Sequence, residues 1–277
     1  MAQQYSKTYP RIDNLSMLTS VVALGYIVSR FLETPSRVVK FSFFGSPLHF
    51  WIDGQAIMIL LVAASVISGT DMMIRSHTEY KGNHSDIRPY YHCIGPVLTV
   101  VMIGMLLNSW KAGSTWLVGF LCSMIFLTLV LTTEYRSIRL PAFHTIRIGL
   151  LALYYPVVLT WLFWLVNLQV RAAISAIVAM TITGLLSFRF LYGDGLSDTR
   201  AGWNGFTIGL IIGELMWVMS YLALPPMIVA ILLLLVLHIS IGIINNISDM
   251  VSRVHSLVEY SIVTVIVISA IIMMKIV

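Results

Sequence analysis

Charge is what this chain has least of. Charged residues make up 10% of the 277 and hydrophobic residues 58%, and a mean hydropathy of +0.89 is more apolar surface than a soluble core of this size can hide. A soluble globular protein is excluded. Cysteine is nearly absent too: Cys93 and Cys122 both fall in apolar runs, where they are expected to be small buried hydrophobes and not a disulfide framework. The chain has no nucleophile elbow, no phosphate-cradling glycine loop and no zinc-binding helix motif, which removes the common hydrolase, nucleotide and metalloprotease signatures. The opening MAQQYSKTYPRIDN is polar and no small-residue cleavage site follows the first apolar run, so no signal peptide is expected. Linkers and low-complexity runs are also missing, and a single transmembrane domain over residues 1–277 is the expectation.

What is there is a series of long apolar runs. Hydrocarbon about 30 Å thick needs roughly 20 apolar residues per helix, and the chain offers nine such stretches, near 15–32, 54–73, 91–110, 114–133, 146–168, 172–193, 205–223, 226–244 and 258–276. Their continuous apolar character predicts helices and not barrel strands, because a helix satisfies its own backbone amides in lipid. The expected fold is therefore an all-α bundle of about nine transmembrane helices. Placing the N-terminus inside puts eleven of the 17 Lys and Arg on the inner side, which predicts an N-in, C-out orientation by the positive-inside rule. Topology thus accounts for the net charge of +5, and no nucleic-acid partner is implied.

Between the first two spans, VVKFSFFGSPLHFWID alternates apolar and polar residues on either side of Gly45-Ser46-Pro47. This predicts a β-hairpin over about 37–53 on the outer surface, with its aromatic rings at the headgroup level. Trp51, Trp110, Trp116, Trp161, Trp164 and Trp217 add aromatic surface for lipid, pigment or protein, and the first three are placed as interfacial anchors.

The order PSRVVKFSFFGSPLHF, SGTDMMIRSH, TTEYR and GLIIGELMW resembles an uncharacterised family of bacterial multi-pass membrane proteins associated with the Chloroflexota. That resemblance implies the bacterial cytoplasmic (inner) membrane and no assigned activity. The topology, with inner loops after spans two, four, six and eight, is also similar to the intramembrane aromatic prenyltransferase superfamily, which holds a diphosphate through Mg²⁺. The matching residues are in DGLSDTRAG, where Asp194, Asp198 and Gly202 fit that superfamily's second Asp motif. The first motif is not matched: after span two only Asp71 is present, with Ile67 and Arg75 at the flanking positions.

Five more observations bear on chemistry. Asp71 and Arg75 are four apart at the inner end of span two and are expected to form a local ion pair. The loop HTEYKGNHSDIRPYYH carries His77, Glu79, His84, Asp86 and His92, which read either as metal ligands or as a wet loop. Glu214 lies inside an apolar span, roughly 13 Å from its inner end, with His238 roughly 9 Å from the inner end of the next span. Arg189 enters the same layer from span six, and Glu134 and Arg147 lie nearer the inner surface. An ionisable residue at such depth usually faces the protein interior with a partner.

Two readings of Glu214 stand open. In one it is a hydrogen-bonding tie between spans seven and eight, with Gly209 and Gly213 letting the helices approach. In the other Glu214, His238 and Arg189 belong to a proton or anion path. The functional expectation is a non-catalytic accessory or scaffold component of a membrane assembly, surrounded by lipid and meeting membrane protein partners. The alternatives are a prenyltransferase-like enzyme using Mg-diphosphate, or a small-solute or proton-coupled transporter.

Overall fold

The computed structural model describes residues 12–31, 37–43, 46–75, 90–110, 113–139, 144–168, 171–193, 197–222 and 224–248. Among these are eight helices: α1 Ile12–Phe31, α2 Gly54–Arg75, α3 Tyr90–Ser109, α4 Gly113–Arg139, α5 His144–Asn167, α6 Ala172–Gly193, α7 Asp198–Met219 and α8 Pro226–Ser248. Seven are long and apolar enough to cross a membrane. The chain is a multi-pass membrane protein. α7 is not one of the seven, because Asp198, Arg200, Asn204 and Glu214 interrupt its apolar character. The expected span near 258–276 lies outside the described residues.

Strands β1 (Arg37–Phe43) and β2 (Ser46–Ile52) pair antiparallel, from Arg37 opposite Ile52 to Phe43 opposite Ser46. Helix ends depart from the apolar runs where polar residues continue the helix. α4 runs on through EYRSIR to Arg139, and α7 begins at Asp198, an acid in its first turn, where a negative charge suits the helix dipole.

The chain divides into two compact units, Met1–Leu150 and Leu151–Val277. In the first, α2 packs on both α1 and α3, and α4 packs on α3. Val22, Val66, Val100 and Leu127 are each fully buried, one from each of these four helices. Tyr26 brings a polar atom into this core and satisfies it: its hydroxyl donates to the Val100 carbonyl at 2.6 Å, tying α1 to α3.

In the second unit α6 and α7 share the most extensive interface. Small residues make it possible, since lipid gives no hydrophobic drive for helix association and close van der Waals packing must supply it. Gly205, Gly209 and Gly213 form one stripe of α7 laid on α6. A Cβ built on Gly209 would stand 2.5 Å from the Met180 carbonyl oxygen and 2.9 Å from Gly184 Cα, and one on Gly213 would stand 3.0 Å from the Ala176 carbonyl oxygen. The expectation that Gly209 and Gly213 face span eight is corrected: they face α6. α8 packs on α7 more lightly, and α5 meets α6 through an edge contact of Tyr154 with Phe190, ring centroids 5.8 Å apart.

Candidate functional site

The N-terminal unit holds a buried acid. Glu134, 1% exposed, lies one turn from the end of α4, and His92, 7% exposed, lies in the first turn of α3. Antiparallel neighbours joined by a short link bring these two ends to the same level. The His92 Nδ1 and Glu134 Oε2 atoms are 3.1 Å apart, and the Ser137 hydroxyl donates to the Glu134 backbone carbonyl at 2.7 Å. Pro96 lies one turn along α3. Its ring nitrogen has no hydrogen for the His92 carbonyl, so backbone as well as side-chain polarity is concentrated here. Cys93 is buried beside this pair, its thiol 3.7 Å from the Ile67 carbonyl of α2. At the end of α2, Arg75 Nε lies 2.8 Å from Asp71 Oδ2, the i,i+4 ion pair that the spacing implies.

Glu134 was expected near the inner surface, and its burial changes what it is: a carboxylate shielded by protein and bonded to an imidazole. Sequence reading passed over this pair, although the depth argument applied to Glu214 would have found it. Arg147 sits in the first turn of α5. The loop residues His77, Glu79, His84 and Asp86, and also Asp194, lie outside the described residues.

In the C-terminal unit Glu214 is not bonded to the two residues it was expected to meet. His238, half-buried on α8, is hydrogen-bonded through Nδ1 to the Tyr155 hydroxyl of α5, 2.6 Å away, with the rings edge to face. Arg189, 3% exposed, is enclosed on α6. Glu214 is exposed, and among the described residues no hydrogen bond or ion pair joins it to His238 or Arg189. Helix ends explain this. Counted from the α7–α8 connection, Glu214 lies five residues from Met219, about 8 Å deep, whereas His238 lies twelve from Pro226, about 18 Å deep. A depth mismatch of about 10 Å follows from where α7 ends, which the apolar run did not disclose.

Two opposite faces on α7 result. One is the glycine stripe against α6, with Ile208, Ile212 and Met216 buried beside it. The other exposes Trp203, Phe206, Leu210, Ile211, Trp217 and Val218, with Tyr221 just past the helix end and Glu214 in their midst. Trp203 meets Phe206 edge to face near one end, and the Trp217 indole donates to the Tyr221 hydroxyl at 2.9 Å near the other. These aromatic pairs are about 21 Å apart along the helix, measured from Trp203 to Trp217.

The prenyltransferase resemblance asks for acids gathered around Mg²⁺. Among the described residues no three His, Cys, Asp or Glu side chains come together at metal-binding distance, and Asp194, which that resemblance pairs with Asp198, lies outside the described residues. Of the cysteines, Cys93 is buried as expected, but Cys122 is exposed: α4 buries only a narrow stripe, and Cys122 is off it.

Residues 34–274 match the family model described as protein of unknown function, DUF5656. The chain belongs to the DUF5656 family. Comparison with curated proteins and with solved structures gave no match. The match reaches into both compact units and includes every described helix from α2 onward, so the two-faced α7 and the His92–Glu134 pair both lie within the matched region.

Proposed function

We propose that this protein is a non-catalytic accessory or scaffold component of a membrane assembly in the bacterial cytoplasmic membrane. The observation that carries the reading is the exposed carboxylate of Glu214 on an otherwise apolar and aromatic face of α7. An acid facing lipid at bilayer depth costs about 2.5–3.5 kcal/mol on insertion scales, and a face rich in Trp, Tyr and Phe is the kind that protein interfaces use. Covering that face with another protein removes the cost and employs the aromatics. The rigid glycine-packed α6–α7 pair supports the face from behind.

The wider frame of the proposal is nine spans in one domain, N-terminus inside, with the β1–β2 hairpin lying on the outer surface. The balance of Lys and Arg supports the orientation, and the polar start and apolar final stretch of the chain support the count. Gentle purification from native membranes, followed by identification of what co-elutes, tests the function. A partner in fixed stoichiometry that is lost when Leu210 and Trp217 are both replaced by alanine is the expected result. Purification free of protein partners, with Mg²⁺-dependent binding of an isoprenyl diphosphate instead, overturns the scaffold reading in favour of an enzyme.

A further inference from the structure

The docking reading of α7 leaves the partner's chemistry open, and Glu214 narrows it. The carboxylate stands on the exposed stripe one turn from Trp217, about 8 Å along the helix from its end at Met219 and about 16 Å from Trp203. It is therefore off-centre, toward the end of α7 that joins α8. Neither basic residue expected beside it serves it: His238 is bonded to Tyr155 and Arg189 is enclosed on α6. A second copy packed face to face through α7 would bring Glu214 against Glu214, acid against acid. Lipid chains offer neither donor nor charge.

We infer that the partner is another membrane protein whose transmembrane helix presents a Lys or Arg to Glu214. The inference rests on the docking reading of α7. The complement is set by charge: a carboxylate in low dielectric gains most from a cation or a strong donor at hydrogen-bond distance. The flanking aromatics fit the same partner, because Trp217 and Tyr221 give the long aliphatic stem of a basic side chain an apolar surface to lie on and a ring face for its charge. Leu210 and Ile211 complete an apolar landing strip below.

The test uses the full chain reconstituted in vesicles with dye-labelled Leu-rich transmembrane peptides of equal length. One peptide is all Leu, one carries a single Lys at the depth of Glu214, and one carries the Lys at the mirror depth in the other half of the bilayer. Energy transfer should show the matched Lys peptide binding about tenfold more tightly than the other two, the scale of one favourable interhelical polar contact in membrane. That preference should vanish in Glu214→Leu, with folding checked by a melting temperature that is not lowered. Equal binding of the three peptides, or a preference that survives Glu214→Leu, overturns the inference.

A photo-crosslinker at Leu210 in native membranes separates this failure from failure of the docking reading. Capture of a foreign protein without a Lys preference leaves the docking reading standing and sinks the basic partner. Capture of a second copy, or of this chain's own residues 249–277, sinks the basic partner and replaces it with that occupant. Lipid adducts alone sink both readings.

Discussion

The α6–α7 interface makes a quantitative prediction through Gly209→Ala. The added methyl carbon would start 2.5 Å from the Met180 carbonyl oxygen and 2.9 Å from Gly184 Cα. Both are backbone atoms of a helix and cannot rotate away, so α6 and α7 must separate by about 0.5–1 Å, a gap that forfeits a quarter to a half of each contact's van der Waals well. With some 40 atom pairs at about 0.1–0.2 kcal/mol each, the loss is about 1–4 kcal/mol. Gly202→Ala is the matched control. It lies on the same helix and gains the same helix propensity, but its Cβ would meet only Phe188 Cε2 at 4.0 Å, an ordinary contact. Unfolding of both variants in mixed micelles by a denaturing detergent, followed by circular dichroism, should show Gly209→Ala less stable than Gly202→Ala by at least about 1 kcal/mol. Equal stability would refute the claim that the glycine stripe is in close contact with α6.

Three further outcomes are expected. Replacing either member of the His92–Glu134 pair by Leu should cost about 3–5 kcal/mol of stability, by leaving a buried polar partner behind, while the double Leu variant recovers much of it; a double variant as unstable as the sum of the singles would count against the contact. Glu214→Leu should leave the thermal stability of the isolated protein unchanged or raised, because an exposed acid is being removed from bilayer depth, and its combination with His238→Ala should be additive; a non-additive pair would restore contact between them. For topology, cysteines introduced at Ser85 and Asp198 in a background lacking Cys93 and Cys122 should resist an impermeant thiol reagent added outside, while one at Gly113 reacts; labelling at Asp198 from outside would overturn the orientation.

The helices were legible because lipid imposes one strong rule, long apolar stretches with internally satisfied backbones, and α2, α3, α5 and α6 lie within a few residues of their apolar runs. Helix ends were less legible. Glu134, Tyr135 and Arg136 continue α4 past its apolar run, and Asp198 starts α7 seven residues before its own, because polar residues at a membrane boundary extend a helix as readily as they end it. The far end of α7 was misplaced as well: it stops at Met219, short of the apolar run that continued to 223, and this shifted the depth of Glu214 enough to predict a contact with His238. Glycine spacing announced a close helix contact at Gly209 and Gly213, but spacing carries no information about which neighbour is close. The pairs His92–Glu134 and Tyr155–His238 join residues far apart in sequence, and each needed a helix arrangement before its partner could be named.

The outward face of α7 as a protein-docking surface is tested most directly by a photo-crosslinking scan along that helix in native membranes. With the probe placed in turn at positions 206, 208, 210, 212, 214 and 217, adducts to another protein should follow the helical period, strong at Phe206, Leu210, Glu214 and Trp217 and absent at Ile208 and Ile212, which are buried. Lipid adducts alone around the exposed positions would contradict the account.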